Sequence, residues 1–313
     1  MLCGFLTLAW ILSCQPVSPD NGDGRPSGED PAPTEKPAAS ETGTGETDGY
    51  RLVWADYFND GALDPSKWTI EVNGDGGGNA ELQYYRAENV SVGKEPSSGS
   101  GCLILTARKE SYQGKSFTSG RLNSGGKYAF TYGKIESRIL LPKTANGLWP
   151  AFWMLGANFG EVGWPRCGEI DILEMGNSTG IKAGTQEKYF NGACHWGYYQ
   201  GNPAWYPSYA RSTTHAYSLQ DGQFHLFTLV WDEQQVRMYV DWDQHPDADP
   251  YYSMSITDKS TDYAVGHYFH HDFFIVYDLA IGGYFTGILQ PSGISALENE
   301  ASMYVDFVKV YQK

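Results

Sequence analysis

Residues 168 to 176 read GEIDILEMG and place three carboxylates, Glu169, Asp171 and Glu174, among Ile170, Ile172 and Leu173. Charged groups at that density among strand-favouring apolar residues carry a desolvation cost, so a fold that keeps them uses them. On a helix the three would point near about 0°, 200° and 140°, leaving Glu169 facing away from the others. On a regular strand Glu169 and Asp171 share a face and Glu174 falls on the opposite one. One extra residue, a β-bulge at Ile172 or Leu173, returns Glu174 to the face of the other two. Three acids along one strand face suit proton transfer and nucleophilic attack at a glycosidic bond. A solvent-facing edge strand is a weaker reading, because the flanks are apolar and aromatic. A divalent metal is weaker too, since the ligands would be strung along about 13 Å of strand.

The rest of the chain must supply elements to hold that strand. Short alternating runs bounded by turn residues read as strands: GCLILTARK, YGKIESRIL, FHLFTLVW, VRMYVDW, FFIVYDLAI and MYVDFVKVY. FHLFTLVW and VRMYVDW flank DEQQ, read as a four-residue hairpin loop. No apolar pattern of helical period rivals them, so the direct reading is an all-β antiparallel sandwich. Residues 50–313 are within the size of one such domain.

The run GKIESRILLP, GLWPAFWMLG and WPRCGEIDILEMGN resembles glycoside hydrolase family 16, the laminarinase-like β-glucanases. NAELQYY (79 to 85), TYGKIESRI, CHWG and MYVDFVKVYQ extend the resemblance over nearly all of the chain from residue 50. It implies a jelly roll of two curved antiparallel sheets with a concave substrate cleft. It implies retaining cleavage of β-1,3-glucan or mixed β-1,3/1,4-glucan, with Glu169 as nucleophile, Asp171 as its partner and Glu174 as acid and base. Trp149 and Trp153 match positions lining the glycone side, and His195 and Trp196 match a pair beside the triad. Asn79 and Arg121 match polar substrate contacts. No cofactor is required, although Asp306 and the Gly101 carbonyl match a structural calcium site. There Asp56-Tyr57-Phe58 lacks the usual second carboxylate. The late segment Asp278-Leu279-Ala280-Ile281-Gly282-Gly283-Tyr284-Phe285 departs from the family's usual Asn-Leu-Ala-x-Gly-Gly-Asn-Trp. An agarase or other galactanase of this family is the alternative within the enzyme class. A glycan-binding protein without catalysis is the alternative outside it, against which the intact triad argues.

The N-terminal part has a different composition. Residues 1–13, MLCGFLTLAWILS, are too short for a membrane-spanning helix and read as a secretory signal. Ile11-Leu12-Ser13-Cys14 resembles a bacterial lipobox, which makes Cys14 the acylated residue and the chain an exported lipoprotein of an outer membrane or cell surface. Residues 14–49 are a Pro/Gly/Ser/Thr-rich acidic tether with too few apolar side chains to fold. Its eight acids against Arg25 and Lys36 account for −6 of the chain's −15. That acidic balance argues against nucleic acid and favours a neutral glycan as partner, bound by a monomer. Of the five cysteines, Cys102, Cys167 and Cys194 lie in the folded part, where Cys167 and Cys194 are either one disulfide or two buried thiols. His267, His270 and His271 lack a completing zinc pattern and read as exposed loop histidines.

Overall fold

The computed structural model describes residues 49–313 except 145, 146, 203 and 296. The expected signal segment, Cys14 and the tether up to residue 48 lie outside the described residues. In chain order the first strands are Arg51–Asp56 (β1), Thr69–Ile70 (β2), Gln83–Tyr85 (β3), Val90–Lys94 (β4), Gly101–Arg108 (β5) and Phe117–Ser119 (β6). Arg121–Asn123 (β7), Gly133–Leu140 (β8), Leu148–Gly156 (β9), Glu169–Met175 (β10), Tyr189–His195 (β11) and Ser208–Thr214 (β12) follow. The last are His225–Trp231 (β13), Gln235–Val240 (β14), Tyr252–Ser255 (β15), Phe273–Ile281 (β16) and Glu300–Gln312 (β17). Helix is confined to short pieces such as Phe159–Val162 (α1) and Ser178–Ala183 (α2) among the described residues.

Two sheets form the expected all-β sandwich. One runs β12-β11-β10-β9-β16-β7-β2, the other β15-β14-β13-β8-β17-β5-β6-β3, with β1 on β17 and β4 on β5. Pairing is antiparallel throughout except between β3 and β6, a parallel pair that departs from the expected pattern. The DEQQ loop is shorter than read, because Gln235 already belongs to β14.

Alternation builds the core. In β8, Ile135, Ser137 and Ile139 point inward while Lys134, Glu136 and Arg138 point out. Phe152 of β9 stacks on Tyr277 of β16 at 4.8 Å between ring centres, both fully buried. The Tyr277 hydroxyl donates to Ser137 Oγ at 2.7 Å, a polar link between the two sheets inside an apolar core. Cys102, Cys167 and Cys194 are all buried free thiols, which decides between the two readings of the last two.

The irregularity in β10 is the feature that positions the site. Against β9, Asp171 faces Trp153 and Leu173 faces Phe152, so Ile172 is the extra residue. Against β11, Asp171 faces Ala193 and Glu174 faces Asn191, so Ile172 and Leu173 together oppose Gly192. The carbonyl freed at Ile172 accepts a hydrogen bond from the buried Tyr251 hydroxyl. Tyr251 reaches it because Gly192 has no side chain: a Cβ there would lie 3.0 Å from the Tyr251 ring and 2.9 Å from Met238 Sδ. Tyr251→Phe leaves that buried carbonyl without a donor. We expect it to lower unfolding free energy by about 1–3 kcal/mol in a denaturant titration. An unchanged midpoint would show that the bulge does not need the hydroxyl.

Candidate active site

Because the bulge restores the face, Glu169, Asp171 and Glu174 all lie on the outer side of the seven-stranded sheet, while Ile170, Ile172, Leu173 and Met175 are buried in the core. Each outer acid receives an indole donor. Trp164 Nε1 donates to Glu169 Oε2 at 3.0 Å, and Trp149 Nε1 donates to Glu174 Oε1 at 3.1 Å. The central acid is flanked by His195, whose Nε2 lies 3.4 Å from Asp171 Oδ2. One ligand-type atom each from Glu169, Asp171 and His195 falls within 4.8 Å of the others. Such a set could gather a divalent ion, but that reading gives Glu174 and its indole no part. Nucleophile and proton-donor work uses all three acids.

The electrostatics follow from crowding and desolvation. Burial, then the Asp171 charge, pushes Glu169 up to about 8. Burial and then Asp171 hold Glu174 well above the usual carboxylate range, with the Trp149 bond acting the other way. Asp171 is itself pushed well up by burial and then by Asp278, a fourth acid on β16. Both effects favour the protonated form of Glu174, the direction a general acid needs.

The other expected residues divide. Trp149 and Trp153 lie on this face as read, but as hydrogen-bond donors. Trp149 is 8% exposed and stacks on Phe285 at 4.6 Å, so little of its ring is free for a sugar. Trp153, opposite Asp171, donates from Nε1 to Asp278 Oδ1 at 2.6 Å. Arg121 lies on the same sheet, across from Asp278, with its Nε 3.0 Å from Glu71 Oε2 and its guanidinium 5.0 Å from the Trp153 ring centre. Asn79 ends the glycine-rich 73–79 loop, where its carbonyl accepts from Tyr284 N at 2.8 Å, which ties that loop to the segment after β16. Trp196 follows the last residue of β11, packs edge-on against Phe269 beside the core and donates to the Tyr263 carbonyl at 2.9 Å.

Two of the histidines read as exposed loop residues are half-buried. His270 sits 2.7 Å from the Tyr132 hydroxyl and 2.9 Å from the Ile256 carbonyl, and His271 bonds the Cys167 carbonyl at 3.0 Å. His267 is exposed. Asp306 lies at a bulge in β17 and accepts from Arg138 Nη1 at 2.7 Å. A guanidinium on the one expected carboxylate ligand does not fit a calcium ion there. Sequence reasoning missed Trp164, Asp278 as an active-site acid, and Tyr206, which meets Trp164 edge-to-face at 4.6 Å. The Trp-Pro five residues before Glu169 was a visible signal for the first.

A carboxyl raised in the folded state supports stability fully below its unfolded value and loses that support as pH rises through its folded value. Glu169 is raised, so its ionised form weighs against folding. Glu169→Gln should leave the thermal midpoint near wild type at pH 4. Its advantage should grow from about 4.5 to about 8, followed by circular dichroism across that range. A gain independent of pH would contradict the desolvated site.

Comparison with known proteins agrees with this geometry. The sequence pattern of glycosyl hydrolases family 16 matches residues 83–248. The chain is 35% identical to a beta-glucanase of Rhodothermus marinus over 275 residues, spanning 84% of this chain and 85% of that protein. Among solved structures, a GH16 protein of the Bacteroides ovatus mixed linkage glucan locus, bound to a product, is 40% identical with a TM-score of 0.71. That match covers 82% of this chain and 99% of the other. The laminarinase catalytic domain of Thermotoga maritima is 36% identical with a TM-score of 0.67, covering 84% and 98%. A sandwich with three acids on one face, matched along four-fifths of the chain, identifies this protein as a member of glycosyl hydrolases family 16.

Proposed function

We propose that the protein is a retaining endo-β-1,3(4)-glucanase acting on β-1,3-glucan or mixed-linkage β-1,3/1,4-glucan. The observation that carries the reading is the bulged strand with three acids on one face, the outer two each held by an indole N–H. The names of its relatives support the substrate class: a beta-glucanase, a laminarinase and a protein of a mixed linkage glucan locus.

In the first step a Glu169 oxygen attacks the anomeric carbon as the glycosidic C–O bond breaks. The proton on Glu174 passes to the departing oxygen. In the second, Glu174 takes a proton from water, the water oxygen attacks the anomeric carbon, and Glu169 leaves as a carboxylate. Asp171 and His195, 3.4 Å apart, stand beside the nucleophile. Burial and Asp171 hold the Glu169 carboxyl up at about 8; His195 and then the Trp164 bond act against them, toward the ionised form that attack requires.

Reducing ends should therefore appear from laminarin or barley β-glucan. Release from agarose alone would move the assignment to a galactanase. Glu169→Ala should lose turnover by at least about 10³-fold and recover with azide to give a product of inverted configuration. Glu174→Ala should act only on substrates with good leaving groups and give a retained azide product. The opposite pattern would exchange the two roles. Full activity in both would show that this strand does not carry the catalysis.

We also propose that the chain is exported and anchored through a lipid on Cys14, on the evidence of its lipobox-like segment and acidic tether. Cys14→Ala should transfer it from the membrane to the soluble fraction. Unchanged fractionation would remove the anchor from the account.

A further inference from the structure

A fourth buried acid shares the face of the triad. Asp278 of β16 is 5% exposed. It faces Ala151 of β9, and Ala151 faces Glu174 of β10, so the two acids occupy one row with only a methyl group between them. Its two oxygens have separate partners. Oδ1 accepts from Trp153 at 2.6 Å, and Oδ2 lies 3.4 Å from the Tyr85 hydroxyl. Trp153 is in turn the cross-strand neighbour of Asp171.

The charges around Asp278 do not cancel. Arg121, its partner on β7, is shared with Glu71, which lies 3.0 Å from Nε. From the β3 side come Glu81, which accepts from Tyr85 at 2.9 Å and from Gln83 at 2.6 Å, and Tyr85 itself. From β10 comes Asp171. Arg121, with Lys115 donating to the Glu81 carbonyl at 3.0 Å on the far side, faces the four acids Glu71, Glu81, Asp278 and Asp171. A short indole bond to a carboxylate, in a setting that leaves it short of positive charge, is arranged for a purpose beyond packing.

We propose that Asp278 is a positioning residue of the active site, holding the Trp153 indole opposite Asp171 and setting a fourth carboxyl group on the face of the triad. The proposal rests on the glycosidase reading for its consequence in catalysis, but its electrostatic part can be measured without turnover. Two other facts agree with it. Burial and then Asp278 raise Asp171. Burial raises Asp278 itself to about 7 despite Arg121, so its own charge changes in the range where the triad must work.

The test is a carboxyl ¹³C NMR titration of the whole folded chain, labelled at Asp and Glu side chains. Asp278→Asn removes the charge and keeps the shape. Asp278→Ser removes the same charge and keeps an oxygen for Trp153, should the first variant fold poorly. In either, the Asp171 midpoint should fall by about one pH unit, the scale of a lost neighbouring charge. In Asp278→Asn the Trp153 indole proton should also move upfield as its charge-assisted bond weakens. An Asp171 midpoint that stays or rises, or an unmoved indole proton, overturns the proposal. Wild-type hydrolysis of barley β-glucan with no titration shift sinks this proposal alone. A titration shift in a wild-type chain that hydrolyses no β-glucan sinks the glucanase reading and leaves the electrostatic claim standing.

Discussion

One extra residue in one strand governs the rest of this structure. Without the bulge at Ile172, strand alternation would drive Glu174 into a core made of Phe152, Phe190 and Tyr251 and their neighbours. With it, all three acids leave the core on the same side. The bulge in turn depends on Gly192, which leaves room, and on Tyr251, which takes up the freed carbonyl. The catalytic face is therefore secured from inside the sandwich, by residues that never touch a substrate.

The same face shows how a fold tolerates a crowd of acids. Burial and mutual repulsion push the triad upward, which works against folding once these groups ionise and favours a carboxyl that holds its proton. Indole donors on the outer acids and His195 beside the central one offset part of that repulsion. Tryptophan suits the task because its N–H is a donor with no charge and no acceptor, carried on a large ring that packing can fix. Trp149 is fixed by Phe285 and Trp164 by Tyr206.

Much of this was legible in the chain. The strand, the need for a bulge and its place followed from the spacing of Glu169, Asp171 and Glu174 against a period of two. Six further runs of the sandwich were read from alternation, β16 to the residue, while the short strands such as β2, β3, β6 and β7 were not. Less legible was anything set by contacts between distant strands. Trp149 and Trp153 were read as lining the glycone side of the cleft; nothing local reveals that their N–H groups point at Glu174 and Asp278. The Arg138 that occupies Asp306 sits 168 positions away in sequence. Nor does anything local show that Trp196, just past the end of β11, packs on Phe269 and bonds the Tyr263 carbonyl.

The central claim is that the bulged face assigns attack to Glu169 and proton donation to Glu174. Trapping the covalent intermediate tests it most directly. The enzyme would be incubated with an activated 2-deoxy-2-fluoro β-glucan oligosaccharide, digested, and the modified peptide sequenced by mass spectrometry. The account predicts a single adduct on the Glu169 carboxylate. An adduct on Glu174 or Asp171, or turnover of that probe with no adduct at any stage, would contradict it.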